Sequence, residues 1–445
     1  MRSGRGLSLP MVVLILAVSA SLSNLCSAGD NMELAEVYVP KLEKMLNENI
    51  VSFWLSKSLD HKNGGYIINF GPKGQKKRGG TKMIVTQART LWLFSRLAES
   101  DYGQREHLEA AELGYEFLTD KMWDKDNGGF YWEVDMTGEK KLQPYKHLYG
   151  QAFALYGISE YYMVTKNQEV LDFATQIFNL IDTKAHDDIY GGYIESFDTD
   201  WNLLPANASS SMGSKGDEKL MNTHLHLLEA FATYYRASKS PLAYKRLMEL
   251  ILIQSNTVVR KSLGACTDRY ERNWTPKLWA GYSIVSYGHD IENVWLLMDA
   301  CDAVGLSNRP LMDLYKTLYD YSLKFGYDEA NGGFFDSGPF NQPASRRSKT
   351  WWVQAEGLVG SLYMYRVTGN SKYLSVFEKT YNFVDEYVAD WEYGEWHSET
   401  TADGVAQAGD KAQPWKCGYH NGRAMIECIE VLKALEAGAE KESKN

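Results

Sequence analysis

The chain lacks the features of a nucleic-acid-binding protein or of a disulfide-rich scaffold. Its 445 residues carry 47 Lys and Arg against 57 Asp and Glu, giving a net charge of −10 without any basic stripe. This balance argues against nucleic acid, or any other polyanion, as the main partner. Five cysteines occur, including Cys26 near the N-terminus, and none has the spacing of a zinc site. They allow one disulfide or four free thiols in the mature chain, which the sequence leaves open.

Long apolar runs are also scarce. The one present, Leu7 to Leu22, follows two arginines and precedes small residues that end at Ala28. This order is typical of a secretory signal peptide, with an uncleaved anchor as the alternative. We therefore predict a signal over residues 1–28, a mature protein of residues 29–445 that does not enter a membrane, and a secreted or periplasmic location.

No stretch rich in proline and glycine divides the mature chain, so we predict a single domain over residues 29–445. One insertion, Pro205 to Asp217, consists mainly of small polar residues. It predicts a loop, which is either a lid or a plain surface connection.

A turn motif recurs six times along the chain. In the clear copies, Asp or Tyr is followed by a short segment, then by Gly-Gly and by aromatic or apolar residues. Two weaker copies have a single glycine. The marker glycines, 62 to 73 residues apart, are Gly64, Gly128, Gly191, Gly264, Gly332 and Gly394. This period indicates one supersecondary unit repeated six times.

Two amphipathic helices are predicted between successive markers. After Gly64 they are Met83–Glu99 and Arg105–Lys121, and after Gly128 they are Leu148–Lys166 and Asn167–Thr183. The first of each pair is apolar on most sides, which is typical of a buried helix, and the second has one apolar stripe. Six such pairs predict an all-α fold, an (α/α)6 barrel with short β-hairpin-like loops at one end. An open solenoid is the alternative, but the sequence has no polar capping repeats.

Polar and aromatic residues that are unusual for a core occur where each inner helix begins. If the units form a ring, these positions converge at one mouth and predict a binding site there. They are Arg89, Tyr149, Gln151, Asn222, His226, Glu229, His289, Glu292, Trp352, Glu356, Trp415 and His420.

Each candidate also has a purely structural interpretation. His289 and Glu292 share a helix face, so they form either a general base held by a carboxylate or a self-satisfied buried pair. Arg89 is either a site residue or a core arginine paired with an acid. His224 lies two residues from His226 and points elsewhere, which favours a structural role. Because His-x-His on a helix does not converge and His-Glu-x-x-His is absent, we predict no metal.

These residues are sufficient for a reaction without a cofactor. His289 and His420 come from different units and can flank a substrate on two sides, one removing a proton next to a carbonyl and the other returning it. Arg89 is the candidate donor for the oxygen of the resulting enediolate. Glu292 and Glu229 would orient the imidazoles or move hydroxyl protons.

Four motifs together resemble the cellobiose 2-epimerases, within the N-acylglucosamine 2-epimerase superfamily. They are Ser286-Tyr-Gly-His-Asp-Ile-Glu, Asn222-Thr-His-Leu-His-Leu-Leu-Glu, Trp351-Trp-Val-Gln-Ala-Glu and Tyr419-His-Asn-Gly-Arg. The resemblance spans nearly all of the mature chain. It implies an (α/α)6 barrel and reversible inversion at C2 of the reducing-end glucose of β-1,4-linked disaccharides such as cellobiose.

The resemblance also implies roles for individual residues. It makes His289 and His420 the acid/base pair and Trp352 and Trp415 stacking residues. It also implies that the substrate has polar contacts with Arg89, Asn222, His226, Glu229 and Glu292. We add Tyr149 and Glu356 as substrate-binding candidates, and we expect a monomer or weak dimer. Gly418 departs from the family, which has proline before Tyr-His, and predicts a looser loop ahead of His420.

Other functions remain open at this point. A mannobiose 2-epimerase or an aldose–ketose isomerase would use the same enediolate. An (α/α)6 glycoside hydrolase would need two carboxylates beside the glycosidic bond, for which Glu229, Glu292 and Glu356 are available. A secreted sugar-binding protein is the third alternative.

Overall fold

The computed structural model describes residues 28–205, 207–279 and 281–443. The signal peptide predicted over residues 1–28 lies outside the described residues except for Ala28, where the first helix begins. In the part of the chain that the structure describes, no helix combines the length and apolarity needed to cross a membrane.

Helices make up most of the described chain, which confirms the predicted all-α class. The α-helices are α1 (Ala28–Lys44), α2 (Ser52–Lys57), α3 (Ile84–Glu99), α4 (Arg105–Phe117), α5 (Leu148–Thr165), α6 (Gln168–Ala185), α7 (Met221–Ser238), α8 (Pro241–Leu252), α9 (Tyr287–Ala303), α10 (Met312–Gly326), α11 (Trp351–Thr368), α12 (Ser371–Phe383) and α13 (Tyr419–Ser443). A π-helical segment, Met45–Val51, joins α1 to α2. Similar segments extend α4, α8 and α12 over Leu118–Met122, Ile253–Thr257 and Val384–Val388, and a 3-10 turn, Arg309–Leu311, precedes α10.

The odd-numbered helices from α3 to α13 form a closed ring. Each contacts the next one along the chain, and α13 contacts α3 again. The even-numbered helices α4 to α12 pack outside, each against the inner helix that precedes it, while α1 packs against α13. The first helix of the chain therefore serves as the outer partner of the last. This arrangement is consistent with the predicted (α/α)6 barrel.

Burial follows the predicted difference between inner and outer helices. Every residue of α5 from Leu148 to Tyr161 is buried, whereas α6 buries only one face, formed by Val170, Ala174, Ile177, Phe178, Ile181 and Ala185. Small residues allow the inner helices to approach closely, since a Cβ on Gly157 of α5 would lie 2.6 Å from the carbonyl oxygen of Ala88 on α3. All-round burial is the reason why these helices lack a polar face.

The six marker glycines adopt one conformation. Their φ angles lie between +71° and +82°, a region that favours glycine, and each N–H donates to the carbonyl four residues earlier at 2.7 to 2.9 Å. The two weaker copies, at Gly264 and Gly394, share this geometry. The sixfold repeat inferred from sequence is therefore confirmed.

Short antiparallel strands connect neighbouring units at the end of the ring where the inner helices begin, here called the mouth. Except in the last unit, the strand before each inner helix pairs with a strand after the next marker, as β1 pairs with β2. The strands are β1 (Thr81–Met83), β2 (Glu133–Asp135), β3 (Lys141–Gln143), β4 (Lys146–His147), β5 (Ser196–Phe197), β6 (Lys219–Leu220), β7 (Val259–Arg260), β8 (Ala265–Cys266), β9 (Arg269–Tyr270), β10 (Ile284–Ser286), β11 (Ser337–Pro339), β12 (Lys349–Thr350) and β13 (Glu399–Thr400). The pairs are β1–β2–β3, β4–β5, β6–β9, β7–β8, β10–β11 and β12–β13.

Buried lysine–aspartate pairs anchor five of the six marker turns. In four units the second residue before the inner helix is a fully buried lysine that binds the aspartate opening the turn, and Lys411 plays this part in the last. The N–O distances are 2.7 to 3.0 Å for Lys82–Asp60, Lys146–Asp124, Lys219–Asp187, Lys349–Asp328 and Lys411–Asp390. In the fourth unit Val285 takes the lysine position.

The four cysteines of the described chain, Cys266, Cys301, Cys417 and Cys428, are buried free thiols. The alternative of a single disulfide is thereby excluded for the described residues.

The buried lysine–aspartate pairs predict that two lysines differ in their contribution to stability. Lys146→Met leaves Asp124 buried without its cation, so we expect the free energy of unfolding to fall by about 3–5 kcal/mol. Lys121→Met removes an ion pair of similar length, 2.6 Å, to Glu139, but this pair is exposed, and stability should hardly change. Urea denaturation of both variants measures the difference. Equal losses would show that the buried pairs do not anchor the turns.

Candidate active site

The predicted site residues lie in the first half of the inner helices, except for Trp415, which precedes α13. Arg89 is on α3, Tyr149 on α5, His226 on α7, His289 on α9 and His420 on α13. Closure of the ring brings these helices together, so residues more than 300 positions apart in sequence share one site. Contacts join all the candidate residues except Gln151 and Asn222 into one connected network.

Arg423 is the centre of this network. Its guanidinium is 1% exposed and donates to three carboxylates on three other helices. Nη1 binds Glu229 and the hydroxyl of Tyr419, while Nη2 binds Glu292 at 2.6 Å and Glu356 at 2.8 Å. One cation therefore holds α7, α9, α11 and α13 in register.

His226 is oriented by Glu229. Its Nδ1 lies 2.9 Å from Glu229 Oε2, while the other oxygen of that carboxylate accepts from Tyr419 and Arg423. Burial opposes ionisation of Glu229, but Arg423 and the hydrogen bonds outweigh it and lower the pKa of Glu229 to about 2. The carboxylate is thus charged, and it fixes the ring of His226.

His420 has the corresponding partner in Glu356. Its Nδ1 lies 2.7 Å from Glu356 Oε1, and the indole N–H of Trp295 donates to Glu356 Oε2 at 2.9 Å. Burial, followed by repulsion from Arg89 and Arg423, lowers the pKa of His420 well below its ordinary value of 6.5. His420 is therefore neutral near pH 7, with Nε2 left to act on a ligand.

The rings of His289 and His420 both contact the indole of Trp352. The ring centroid of Trp352 is 4.7 Å from that of His289 and 5.8 Å from that of His420. The two imidazoles, 131 residues apart in sequence, therefore stand on adjoining walls of one site.

The predicted pairing of His289 with Glu292 does not form. Glu292 Oε1 accepts from Arg423 instead, because the side chain turns toward the centre of the ring. Within the described residues His289 makes a ring contact with Trp352 and no hydrogen bond, and it is half-buried. Its imidazole is thus open to a ligand.

Arg89 is not a core arginine paired with an acid. No carboxylate within the described ranges lies at salt-bridge distance from it. Nη2 donates to Tyr149 at 3.0 Å, and the guanidinium lies 4.1 Å from the centroid of Phe153 and 4.8 Å from that of Tyr419. Its Nε is buried without a partner. An unpaired guanidinium among aromatic rings is suited to bind an oxygen that gains negative charge.

Three further polar atoms of the site are buried and unpaired. They are Asn222 Oδ1, Glu292 Oε2 and Arg423 Nε. Buried polar atoms are normally hydrogen-bonded, so such exceptions indicate a polar ligand. Trp415 lies at the rim, 37% exposed, with its ring 6.0 Å from Trp132 and 6.3 Å from Tyr149. Trp352 and Trp415 thus present two aromatic surfaces, as sugar rings require.

Several known proteins resemble this chain over most of its length. The sequence profile of the N-acylglucosamine 2-epimerase family matches residues 65–424. Cellobiose 2-epimerase from Dictyoglomus turgidum is 34% identical over 88% of this chain and 97% of its own, and that from Ruminococcus albus is 33% identical over 88% and 98%. The structure of cellobiose 2-epimerase from Bacillus thermoamylovorans superposes with a TM-score of 0.82 at 32% identity, covering 89% of this chain and 99% of that one.

The chain belongs to the N-acylglucosamine 2-epimerase family. The resemblance seen in the four motifs is thereby confirmed, as is the prediction of a carbohydrate epimerase at the level of the family.

Two residues of this family member are structural. His224 Nε2 accepts from the backbone N–H of Tyr193 at 2.9 Å, and its Nδ1 lies 2.7 Å from the carbonyl of Leu220. Gln151, which the sequence placed among the site candidates, binds the backbone N–H and carbonyl of Phe130 in the same way. Both anchor the strand after a marker turn to an inner helix. The structural interpretation of His224 is correct, and Gln151 is not a site residue.

Three residues of the network were missed by sequence reasoning. Arg423, Tyr419 and Trp295 contact the carboxylates Glu229 and Glu356, as described above. Tyr419 and Arg423 lie four apart on α13, so a shared face was detectable. Their partners lie on other helices, however, and no spacing reveals them.

A metal ion has one conceivable position in the described chain. Single atoms of Glu292, Glu356 and His420 lie within 4.8 Å of one another. Arg423 already binds both carboxylates, and His420 Nδ1 already contacts Glu356. The guanidinium therefore supplies the positive charge that an ion would bring. The absence of a metal stays a prediction.

The loop before His420 is well packed. Gly418 is buried, and a Cβ there would lie 2.6 Å from Trp54, so glycine makes room for this indole. Lys416 and Asn421, on either side, both bind Glu395 at 2.6 and 2.8 Å. The expectation that Gly418 loosens this loop is not supported by these contacts.

The insertion after Pro205 reaches the mouth. Ser211 contacts the hydroxyl of Tyr145, and Arg269 donates to the carbonyls of Met212 and Gly213 at 2.9 Å. Its role as a lid stays a prediction.

His224 and His226 provide a matched test of these assignments. Glutamine stands at the position of His224 in three other units, so His224→Gln should keep the backbone contact and change the free energy of unfolding by less than about 1 kcal/mol. His226→Gln should fold as well but lose about 100-fold in turnover of a reducing sugar. Urea denaturation and product assay check both. A larger loss of turnover in His224→Gln would reverse the two roles.

Proposed function

We propose that the protein is a cofactor-independent 2-epimerase that acts on the reducing-end sugar of β-1,4-linked disaccharides, converting cellobiose to glucosylmannose. One observation supports this above all: the rings of His289 and His420 contact the same indole, and the charge of Arg89, which has no carboxylate partner among the described residues, acts on His420. Relatives named cellobiose 2-epimerase are 28 to 34% identical over nearly the whole chain.

The reaction begins with removal of the proton at C2 of the open-chain sugar. A neutral imidazole is the base, and the low pKa of His420 keeps it neutral. The electron pair moves to the C1 carbonyl and gives an enediolate. Arg89 lies 3.0 Å from the Tyr149 hydroxyl, and together they offer donors to the negative oxygen.

Inversion requires a proton from the other face. The second imidazole, which must be protonated beforehand, donates its proton to C2, so the first imidazole ends protonated and the second neutral. His289 and His420 therefore exchange the parts of acid and base between the two directions of reaction. Trp352 holds the sugar ring between them, because an indole face binds the C–H surface of a pyranose. Trp415 at the rim is suited to the next sugar of the disaccharide.

The remaining polar groups act on hydroxyl protons. His226, fixed by Glu229, is positioned to assist ring opening, while Asn222 Oδ1 and Glu292 Oε2 accept from sugar hydroxyls. Glu356 positions His420 through its Nδ1. Protonation of the enediolate at C1 instead of C2 would give a ketose, which is the aldose–ketose isomerase alternative.

The arrangement of carboxylates disfavours a glycoside hydrolase. That reaction needs two carboxyl groups on separate sides of the scissile bond, one protonated and one free. Glu229, Glu292 and Glu356 instead converge on Arg423.

Two further expectations belong to this proposal. We infer that the protein is secreted or periplasmic, on the strength of the N-terminal sequence, and that it works as a monomer or weak dimer.

Deuterium exchange separates the two bases. In D2O, epimerisation of cellobiose should place deuterium at C2. His289→Ala and His420→Ala should each lose about 1000-fold in epimerisation. Each variant should still exchange the C2 proton of one epimer, a different one in each case, because one face keeps its base. NMR of cellobiose and glucosylmannose, each incubated with each variant, gives the readout.

Three results would contradict this mechanism. Wild-type turnover without deuterium at C2 would exclude proton removal. Release of monosaccharide would favour the hydrolase, and binding without any turnover would favour a sugar-binding protein.

The pH dependence follows from His420. A base must be neutral, and because the pKa of His420 lies well below 6.5, its neutral form is lost only when the pH falls below that range. Protonation of His420 should therefore not lower kcat/KM between pH 7.5 and 6.5 for either epimer, since the Haldane relation gives both directions the same pH profile. Initial rates with each epimer at constant ionic strength measure this. A decline centred at or above pH 6.5 in both directions would contradict the assignment.

A further inference from the structure

A second cavity opens at the end of the ring opposite the mouth. It has a volume of about 410 Å³ and is lined by all six inner helices. Its residues follow the site residues on the same helices, as Arg96 follows Arg89 by seven positions, about two turns, on α3. Glu229 and Trp295 contribute to both the wall of this cavity and the active-site network.

Charges around this cavity alternate in sign. Arginines come from α3, α7 and α11, and acidic residues come chiefly from α5, α9 and α13. The arginines are Arg96, Arg236 and Arg366, and the acidic residues are Glu160, Asp299, Asp302, Glu427 and Glu430, with Glu99 on α3 and Glu229 on α7.

The arginines are already paired. Arg96 binds Glu430 at 2.5 Å, Arg236 binds Asp299 at 2.6 Å and Arg366 lies 3.6 Å from Asp302. Acidic groups therefore remain in excess, so the cavity favours a cation over an anion.

Glu160 is the buried acidic group of this cavity that has no hydrogen bond, whereas Glu99, which also has none, is exposed. It is 8% exposed, and the nearest cationic atom, Arg96 Nε, lies 3.8 Å away. Burial raises its pKa to about 7. Arg96 and Arg236 lower this pKa, and Glu99 and Glu427 raise it. Within the described residues no donor reaches its carboxylate.

A buried donor lies on the same wall. The indole N–H of Trp92 has no hydrogen-bond partner although the residue is only 2% exposed. Its ring stacks on Tyr156 at 5.3 Å, which gives the cavity an aromatic floor. A ligand that forms hydrogen bonds with both groups must carry a donor for Glu160 and an acceptor for Trp92.

We propose that this cavity binds a small hydroxylated amine. Its ammonium contacts Glu160, one hydroxyl accepts from the Trp92 indole, and the aromatic floor adds cation–π attraction. Neutral polyols satisfy the same hydrogen bonds but gain nothing from the excess of carboxylates. The proposal concerns binding only and does not depend on the reaction at the mouth.

Calorimetric titration of the full chain tests this with a matched pair of ligands. Glucamine and sorbitol differ in one group, an ammonium against a hydroxyl. At pH 8, where Glu160 is mostly ionised, glucamine should bind at least about tenfold more tightly than sorbitol. Glu160→Gln should weaken glucamine binding about tenfold. Glu109→Gln, at an exposed position of outer helix α4, should leave it unchanged.

A second variant, at another acidic residue of the cavity, controls for misfolding of Glu160→Gln. Glu427→Gln keeps an oxygen for Tyr363, which donates to Glu427 at 2.8 Å, and should also weaken glucamine binding. Near pH 7, binding should release protons from Glu160, measured in buffers of different ionisation enthalpy, and this release should vanish in Glu160→Gln. Equal affinity for glucamine and sorbitol, or full affinity in both variants, would overturn the proposal.

Discussion

One buried cation holds the catalytic end of the ring together. Arg423 compensates the charges of Glu229, Glu292 and Glu356, three buried carboxylates that would otherwise repel one another. Two of these carboxylates fix the orientations of His226 and His420. The position of both imidazoles, and hence the chemistry proposed for them, depends on this guanidinium.

The architecture could be read from the sequence because it repeats. Six glycines at a near-constant interval marked the turns, and helices such as α5 showed their burial by lacking a polar face. The repeat was detectable even at Gly264 and Gly394, where few neighbouring residues match. The buried lysines, such as Lys146, were not anticipated, since a lysine beside a helix start is normally exposed and its aspartate lies more than 20 residues away.

The site was predictable as a set of residues but not as a set of contacts. Helical spacing correctly grouped His226 with Glu229, and it separated His224 from them, because these relations lie within one helix. The same reasoning wrongly paired His289 with Glu292. It could not foresee that Glu292 turns to Arg423, or that His420 takes Glu356 from α11, since closure of the ring decides these contacts. Sequence spacing therefore predicts which residues share a helix face. Closure of the ring determines which residues of other helices contact that face.

The pairing of α1 with α13 links the two ends of the chain. His420 and Arg423 lie on α13, so the helix that completes the charge cluster is also the last to be synthesised. The charge cluster is therefore incomplete until α13 has been synthesised and has packed against α1. Both helices are needed for this part of the ring, because the loss of either one exposes the packed face of the other.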